Sequence, residues 1–138
     1  MTALTRSQLQ SIVDRSPLNR WLGMAVESVD EHAVVLTMRW REELISNPQR
    51  QTTHGGILAT LIDGAGDYAV AARIGLPVPT VDLHIDYHRA ALPGDLRVVA
   101  SLVHLGRTNA IARAEVFDSA GRLLCSGRGL YHVATATN

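Results

Sequence analysis

Ile57, Leu58, Leu61, Ile62, Ala65, Ala69 and Ala72 recur at steps of three and four residues, the period of a helix with one buried face. The pattern predicts one long helix from about Gly55 to Ile74, stopped by Gly75 with Pro77 and Pro79 beyond it. Leu4, Leu9, Ile12 and Val13 predict a shorter helix over residues 5–15, capped by Thr5 or Ser7 and ended by Ser16-Pro17. Leu18, Trp21 and Leu22 are expected to bury a short turn after it. Residues 24–29 and 33–40 read as a hairpin turning at Asp30-Glu31. Residues 41–53 read as a polar loop with Asn47-Pro48 in its middle. Beyond the long helix the period becomes two. Residues 80–89 alternate Val81, Leu83, Ile85 and Tyr87 against Asp82, His84, Asp86 and His88. Strands over 96–105, 108–117 and 123–133 follow, separated by turns at Pro93-Gly94-Asp95, Gly106-Arg107 and 118–121.

Hairpin-length connections predict an antiparallel meander, with the long helix laid across one face of the sheet. The expected class is α+β, a single domain over 1–138 with a core at about 22–133 and a helical segment at 1–21. Charge adds an exclusion: 13 basic and 13 acidic side chains balance, so neither nucleic acid nor an anionic membrane is an expected partner. The single Cys125 rules out an internal disulfide and any multi-cysteine metal site. No apolar run approaches the roughly 18 residues of a membrane span. Residues 1–7 lack the pattern of a signal peptide, so a soluble cytoplasmic protein is expected.

The chemistry concentrates in the long helix. Asp63 sits about two and a half turns in, beside the apolar face, within Asp63-Gly64-Ala65-Gly66-Asp67. Each of those glycines costs about 1 kcal/mol of helix stability relative to Ala. They also permit close approach of a ligand or another backbone, so this reads as a helix built around a site. His54-Gly55-Gly56 opens the helix, where unpaired N–H groups and a positive dipole end can bind an oxyanion. The bland alternatives are a hydrogen-bonded structural Asp63, turn glycines at 55 and 56, and a strand-forming Thr80. His84, Asp86 and His88 share a strand face, as a metal site would need, but no fourth ligand is evident.

Asn47, His54-Gly55-Gly56, Asp63 nine residues on, and a strand opening Thr80-Val81-Asp82 together resemble the hotdog-fold acyl-CoA thioesterases of the phenylacetate-degradation type. The likeness runs from about residue 22 to 133 and includes Gly94, Gly106-Arg107 and Gly121. It implies one long central helix wrapped by a six-stranded antiparallel sheet, with a short N-terminal helix ahead. It also implies a homodimer or dimer of dimers with sites at the subunit interface, and thioester hydrolysis without metal or organic cofactor.

The resemblance casts Asp63 as general base for water or nucleophile of a transient anhydride, and the residues leave that choice open. Gly55 would polarise the thioester carbonyl, Thr80 hold the water, Asn47 reach the carbonyl region and His54 orient the loop or thioester. Asn47 and the His-Gly-Gly turn would come from the subunit facing the one that supplies Asp63. Coenzyme A contacts would fall to Arg107, Thr108 and Gly106, with Arg89, Tyr87, Asp82 and His132 at other positions.

Two features depart from the family. Asn47 stands seven residues before His54 where some relatives have six, so Gln49 or Gln51 can take its part. Asp67 occupies a place usually given to a small residue, and the two carboxylates at i and i+4 repel. A hydratase on this fold would need a His where Tyr68 stands, five residues after Asp63. A non-catalytic acyl-CoA-binding protein and a plain structural dimer are the remaining alternatives, and an acyl-carrier-protein thioester the alternative substrate.

Overall fold

The structure is a computed structural model, and it describes residues 3–134. The N-terminal segment forms two helices, α1 (Arg6–Val13) and α2 (Pro17–Leu22). A capping box starts α1: Thr5 accepts the Gln8 N–H while the Gln8 side chain takes the Thr5 N–H. Ser16 caps α2, with Pro17 in its first turn and Gly23 closing it in the left-handed region at φ 65°. Leu22 is buried as expected, but Leu18 and Trp21 are about half exposed. On a helix of under two turns they point away from the side that packs. Trp21 instead stacks under the Arg41 guanidinium, 4.4 Å from its ring centroid.

The hairpin β1 (Ala25–Val29) and β2 (Val34–Met38) follows. The expected polar loop over 41–53 is more ordered than its composition suggests. It holds a 3-10 turn (Glu42–Leu44) and a small two-stranded ladder, β3 (Ile45–Asn47) with β4 (Thr52–Thr53). Leu44 is buried beneath it, and the Leu44 carbonyl accepts the His54 N–H at 2.8 Å. The turn therefore delivers His54 to the start of the long helix.

That helix, α3 (Gly55–Ile74), matches the expected bounds. It lies over the sheet formed by β1, β2, β5 (Thr80–Tyr87), β6 (Leu96–Leu105), β7 (Asn109–Phe117) and β8 (Leu123–His132). All pairings are antiparallel, in the order β1-β2-β6-β7-β8-β5. This corrects the simple meander. The β1-β2 hairpin attaches to β6, and β5 pairs with β8 at the far edge instead of with its successor β6. The reason is the helix, which separates β5 from the first hairpin and packs chiefly on the central strands β6 and β7.

Small side chains allow that packing. Ala65, Ala69 and Ala72 on α3 and Ala100, Ala110, Ala112 and Ala114 on the sheet are all buried. Leu58, Leu61 and Ile62 fill the remaining space, each contributing roughly 2 kcal/mol by leaving water. The strand that was expected to be cleanly two-faced is not. In β5 only Leu83 and Ile85 are partly covered, while Val81 and Tyr87 are 60% and 54% exposed. A bulge between Thr80 and Asp82 resets the alternation, and among the described residues no strand covers the outer edge. Among the described residues no helix is long and apolar enough to cross a membrane.

Candidate active site

Each end of the α3 N-terminal half carries one part of the candidate chemistry. At the helix start His54 is the N-cap, and its Nδ1 accepts the Gly56 N–H at 2.8 Å. That bond leaves Nε2 as the protonated, outward nitrogen when the ring is neutral. The His54 carbonyl accepts the Ile57 N–H at 2.9 Å. Gly55 N–H is then the first helix donor not engaged by the cap among the described residues, and the helix dipole adds to its pull on an anion. Tyr87 closes over this end. Its hydroxyl donates to the Gly55 carbonyl at 2.7 Å, and a Cβ on Gly55 would stand only 3.3 Å from its ring. A depression of about 280 Å³ beside it is lined by Thr52, Thr53, Gly55, Leu58, Tyr87 and Arg89, among others.

Two turns on, Thr80 Oγ1 donates to Asp63 Oδ1 at 2.6 Å. The distance is at the short end of the hydroxyl-to-oxygen hydrogen-bond range. Asp63 is only partly covered, so it is neither a fully solvated surface Asp nor a buried one. Its backbone is held too: the Tyr131 hydroxyl donates to the Asp63 carbonyl at 2.9 Å. Tyr131 is fully buried and threads between helix and sheet. A Cβ on Gly66 or Gly129 would come within 2.2 or 2.3 Å of its hydroxyl. The close approach expected at Gly66 is therefore made by a side chain of β8, not by a ligand. Burial and the nearby Asp63 and Asp67 raise the Tyr131 phenol, keeping it a protonated donor. The signal for this residue was the pairing of a helix glycine, Gly66, with Gly129 two residues before Tyr131 in β8.

Asn47 is turned to a local task. Its Oδ1 accepts the Gln49 and Arg50 N–H groups at 3.0 and 3.1 Å, closing the turn between β3 and β4. Only its amide NH₂ is left to face outward. Tyr68 is buried and takes a hydrogen bond from Asn19 at 2.5 Å.

The residues expected to meet coenzyme A do not form one cluster within the chain. Gly106, Arg107 and Thr108 form the turn into β7, where Gly106 N–H donates to the Asn109 carbonyl and Val133 N–H to the Thr108 carbonyl. His132 N–H donates to the Pro79 carbonyl, which puts all four beside the Thr80 end of β5. Tyr87 and Arg89 lie at the opposite end of β5, by Gly55. Asp82 turns to the outer sheet face and pairs with Arg128 at 3.1 Å. On that face His84 meets Asp86 at 3.3 Å and His88 meets Ser126 at 2.7 Å, so the three do not converge. A groove of about 580 Å³ between Thr37, Arg97 and Ser119 contains none of the candidate residues.

Residues 50–125 match the family described as Thioesterase superfamily. A solved protein from the thioesterase superfamily superposes with a TM-score of 0.91 at 55% identity, covering 92% of this chain and 96% of its own. The Escherichia coli PaaI protein from the phenylacetic acid degradation operon gives a TM-score of 0.81 at 25% identity, covering 94% and 95%. Human acyl-coenzyme A thioesterase 13 is 28% identical over 137 residues, 96% of each chain. A long helix packed on a six-stranded antiparallel sheet, a carboxylate held by a hydroxyl, and relatives that span its length leave one assignment: the chain belongs to the thioesterase superfamily, as a hotdog-fold thioester hydrolase.

Proposed function

We propose that the protein hydrolyses an acyl- or aryl-CoA thioester to the free acid and coenzyme A, at sites completed by a second copy of the chain. The observation that carries this is the Thr80–Asp63 pair at 2.6 Å, set eight residues from the Gly55 N–H on the same helix. Eight residues of helix are about 12 Å, too far for both groups to act on one thioester. Two helices packed antiparallel about a two-fold axis bring Asp63 of one protomer to Gly55 of the other. The same axis sets the Thr80 end of β5 against its partner's Tyr87 end. The two separated sets of coenzyme-contact candidates, Arg107 with His132 and Arg89 with Tyr87, then border one cleft.

In this site the Gly55 N–H receives the developing oxyanion, a contribution on the order of 3 kcal/mol. His54 holds the helix start, and the free amide of Asn47 faces the carbonyl region. Asp63 takes the proton of an attacking water, or attacks the carbonyl carbon itself and is released by water. In either case the C–S bond breaks and the thiolate leaves as coenzyme A. Thr80 orients the carboxylate that does this.

Thiol release from short, medium, long and aromatic acyl-CoAs tests the reading. The wild type is expected to turn over at least one, and Asp63→Asn to lower kcat by about 100-fold or more while the oligomer persists. Inactivity on the whole panel, or full activity of Asp63→Asn, overturns it.

A further inference from the structure

Asp67 is the carboxylate that the proposed reaction leaves unused. Its Oδ1 accepts the Val78 N–H at 2.8 Å. Val78 is buried and lies between Pro77 and Pro79, neither of which has an N–H. The connection from Pro77 to Pro79 thus has a single backbone donor, and Asp67 takes it. Two residues further, Thr80 makes its bond to Asp63. The dimensions match: four residues of helix rise about 6 Å, and two extended residues span roughly 7 Å. Carboxylates one helical turn apart therefore grip the approaching chain at two points two residues apart. The Pro79 carbonyl, between them, is fixed from the other side by His132 N–H at 2.9 Å.

We infer that Asp67 is a positioning residue, whose hold on the Val78 N–H sets the entry to β5 so that the Thr80 hydroxyl meets Asp63. The inference rests on the reading of Asp63 as the reacting carboxylate. The charged or titratable groups around Asp67 are Asp63 and Tyr68 from its own helix and Tyr131 from β8. Burial pushes the Asp67 carboxyl up to about 7, opposed by the Val78 N–H and assisted by the charge on Asp63. As Asp67 ionises, its bond to Val78 becomes charge-assisted and shorter, so the grip tightens with rising pH. A carboxylate is worth its cost here because a small residue would leave the one donor of a Pro-X-Pro segment unpaired in a buried place.

The test uses the full chain with Asp67→Asn, which keeps an acceptor, and Asp67→Ala and Asp67→Leu, which do not; Leu preserves the shape if Ala does not fold. Hydrogen exchange at the Val78 amide reads the grip without reference to activity, so its outcome is independent of whether Asp63 is the reacting group. The expected result is faster exchange at Val78 in the Ala or Leu variant, with kcat lowered about tenfold or more at nearly unchanged KM. Asp67→Asn should keep most of the wild-type kcat at pH 6 but lack the rise through about pH 7 expected of the wild type. Unchanged Val78 protection in the folded Ala or Leu variant, or equal losses of kcat in Asn and Ala, overturns the inference. Activity of Asp63→Asn would instead overturn the proposed function and leave the Val78 measurement standing.

Discussion

The two edges of the main sheet are finished in opposite ways. At the β1 edge, α1 lays polar side chains along the strand. Gln10 Oε1 accepts the Val26 N–H at 2.6 Å, Gln10 Nε2 donates to the Met24 carbonyl, and Arg6 reaches the Val26 carbonyl at 3.4 Å. The strand is five residues long and bulged between Val26 and Ser28. Shortness, a bulge and a covering helix are the usual means of keeping an edge from pairing with another chain. The β5 edge has a bulge only at its start, runs eight residues, and exposes Val81 and Tyr87. Asp63, Thr80, Gly55 and Tyr87 all gather along this second edge. One edge is closed by the chain itself. The other stays open beside the candidate residues, which is why the proposed site is shared between two protomers.

Breaking the open edge should have the largest effect. Val81→Lys places a charge at the exposed start of β5 without disturbing the buried core. The expected outcome is a folded monomer in sedimentation experiments, with thioesterase activity down about 100-fold, since half of each site is lost. A Val81→Lys protein that remains an active oligomer would remove the basis for assigning the partner to this edge.

The next effect concerns how β5 is tied to the helix. Asp67 has a carboxyl raised in the folded protein to about 7 from an ordinary 3.8. A group raised on folding adds stability that is fully present below the unfolded value and is lost as pH climbs through the folded one. Asp67→Asn removes that loss while keeping the acceptor for Val78. Its advantage in thermal stability over the wild type should therefore grow between pH 4 and 7, reaching at most a few kcal/mol, about 2–4, above that. A difference in Tm that stays constant from pH 5 to 8 would argue against a part-buried, titrating Asp67.

The smallest effect belongs to the closed edge. Gln10→Ala frees the Val26 N–H and the Met24 carbonyl, and should cost about 1 kcal/mol of stability. Oligomeric state and kcat are expected to stay as they were, measured by chemical denaturation and sedimentation. A change of assembly in Gln10→Ala would show that the β1 edge is not closed by α1 as described.

Local pattern reached a long way in this chain. The spacing of Ile57, Leu61, Ile62 and Ala65, the His54-Gly55-Gly56 opening and the stop at Gly75 are short-range properties, and they bound α3 correctly. The alternations in β6, β7 and β8 are local as well. The His-Gly-Gly turn and Asp63 stood out because both glycine and aspartate are poor choices in a helix unless something else requires them. The turn-closing bonds of Asn47 were not legible, because they depend on β3 and β4 forming around it.

What the chain's own pattern could not decide were contacts between segments far apart. Alternation says that a stretch is a strand but not which neighbour it pairs with, so the move of β5 to the edge beside β8 came only from the way α3 lies across the sheet. For the same reason Trp21 and Val81 read as core by residue type and are exposed by position. The slot for Tyr131, the Thr80–Asp63 bond and the hold of Asp67 on Val78 join α3 to strands and a connection up to 68 residues away. Sequence determined the elements and the candidate residue types, because those follow from backbone preference and side-chain periodicity over a few residues. Tertiary structure determined which of those residues meet, because that depends on helix and sheet closing over shared small side chains.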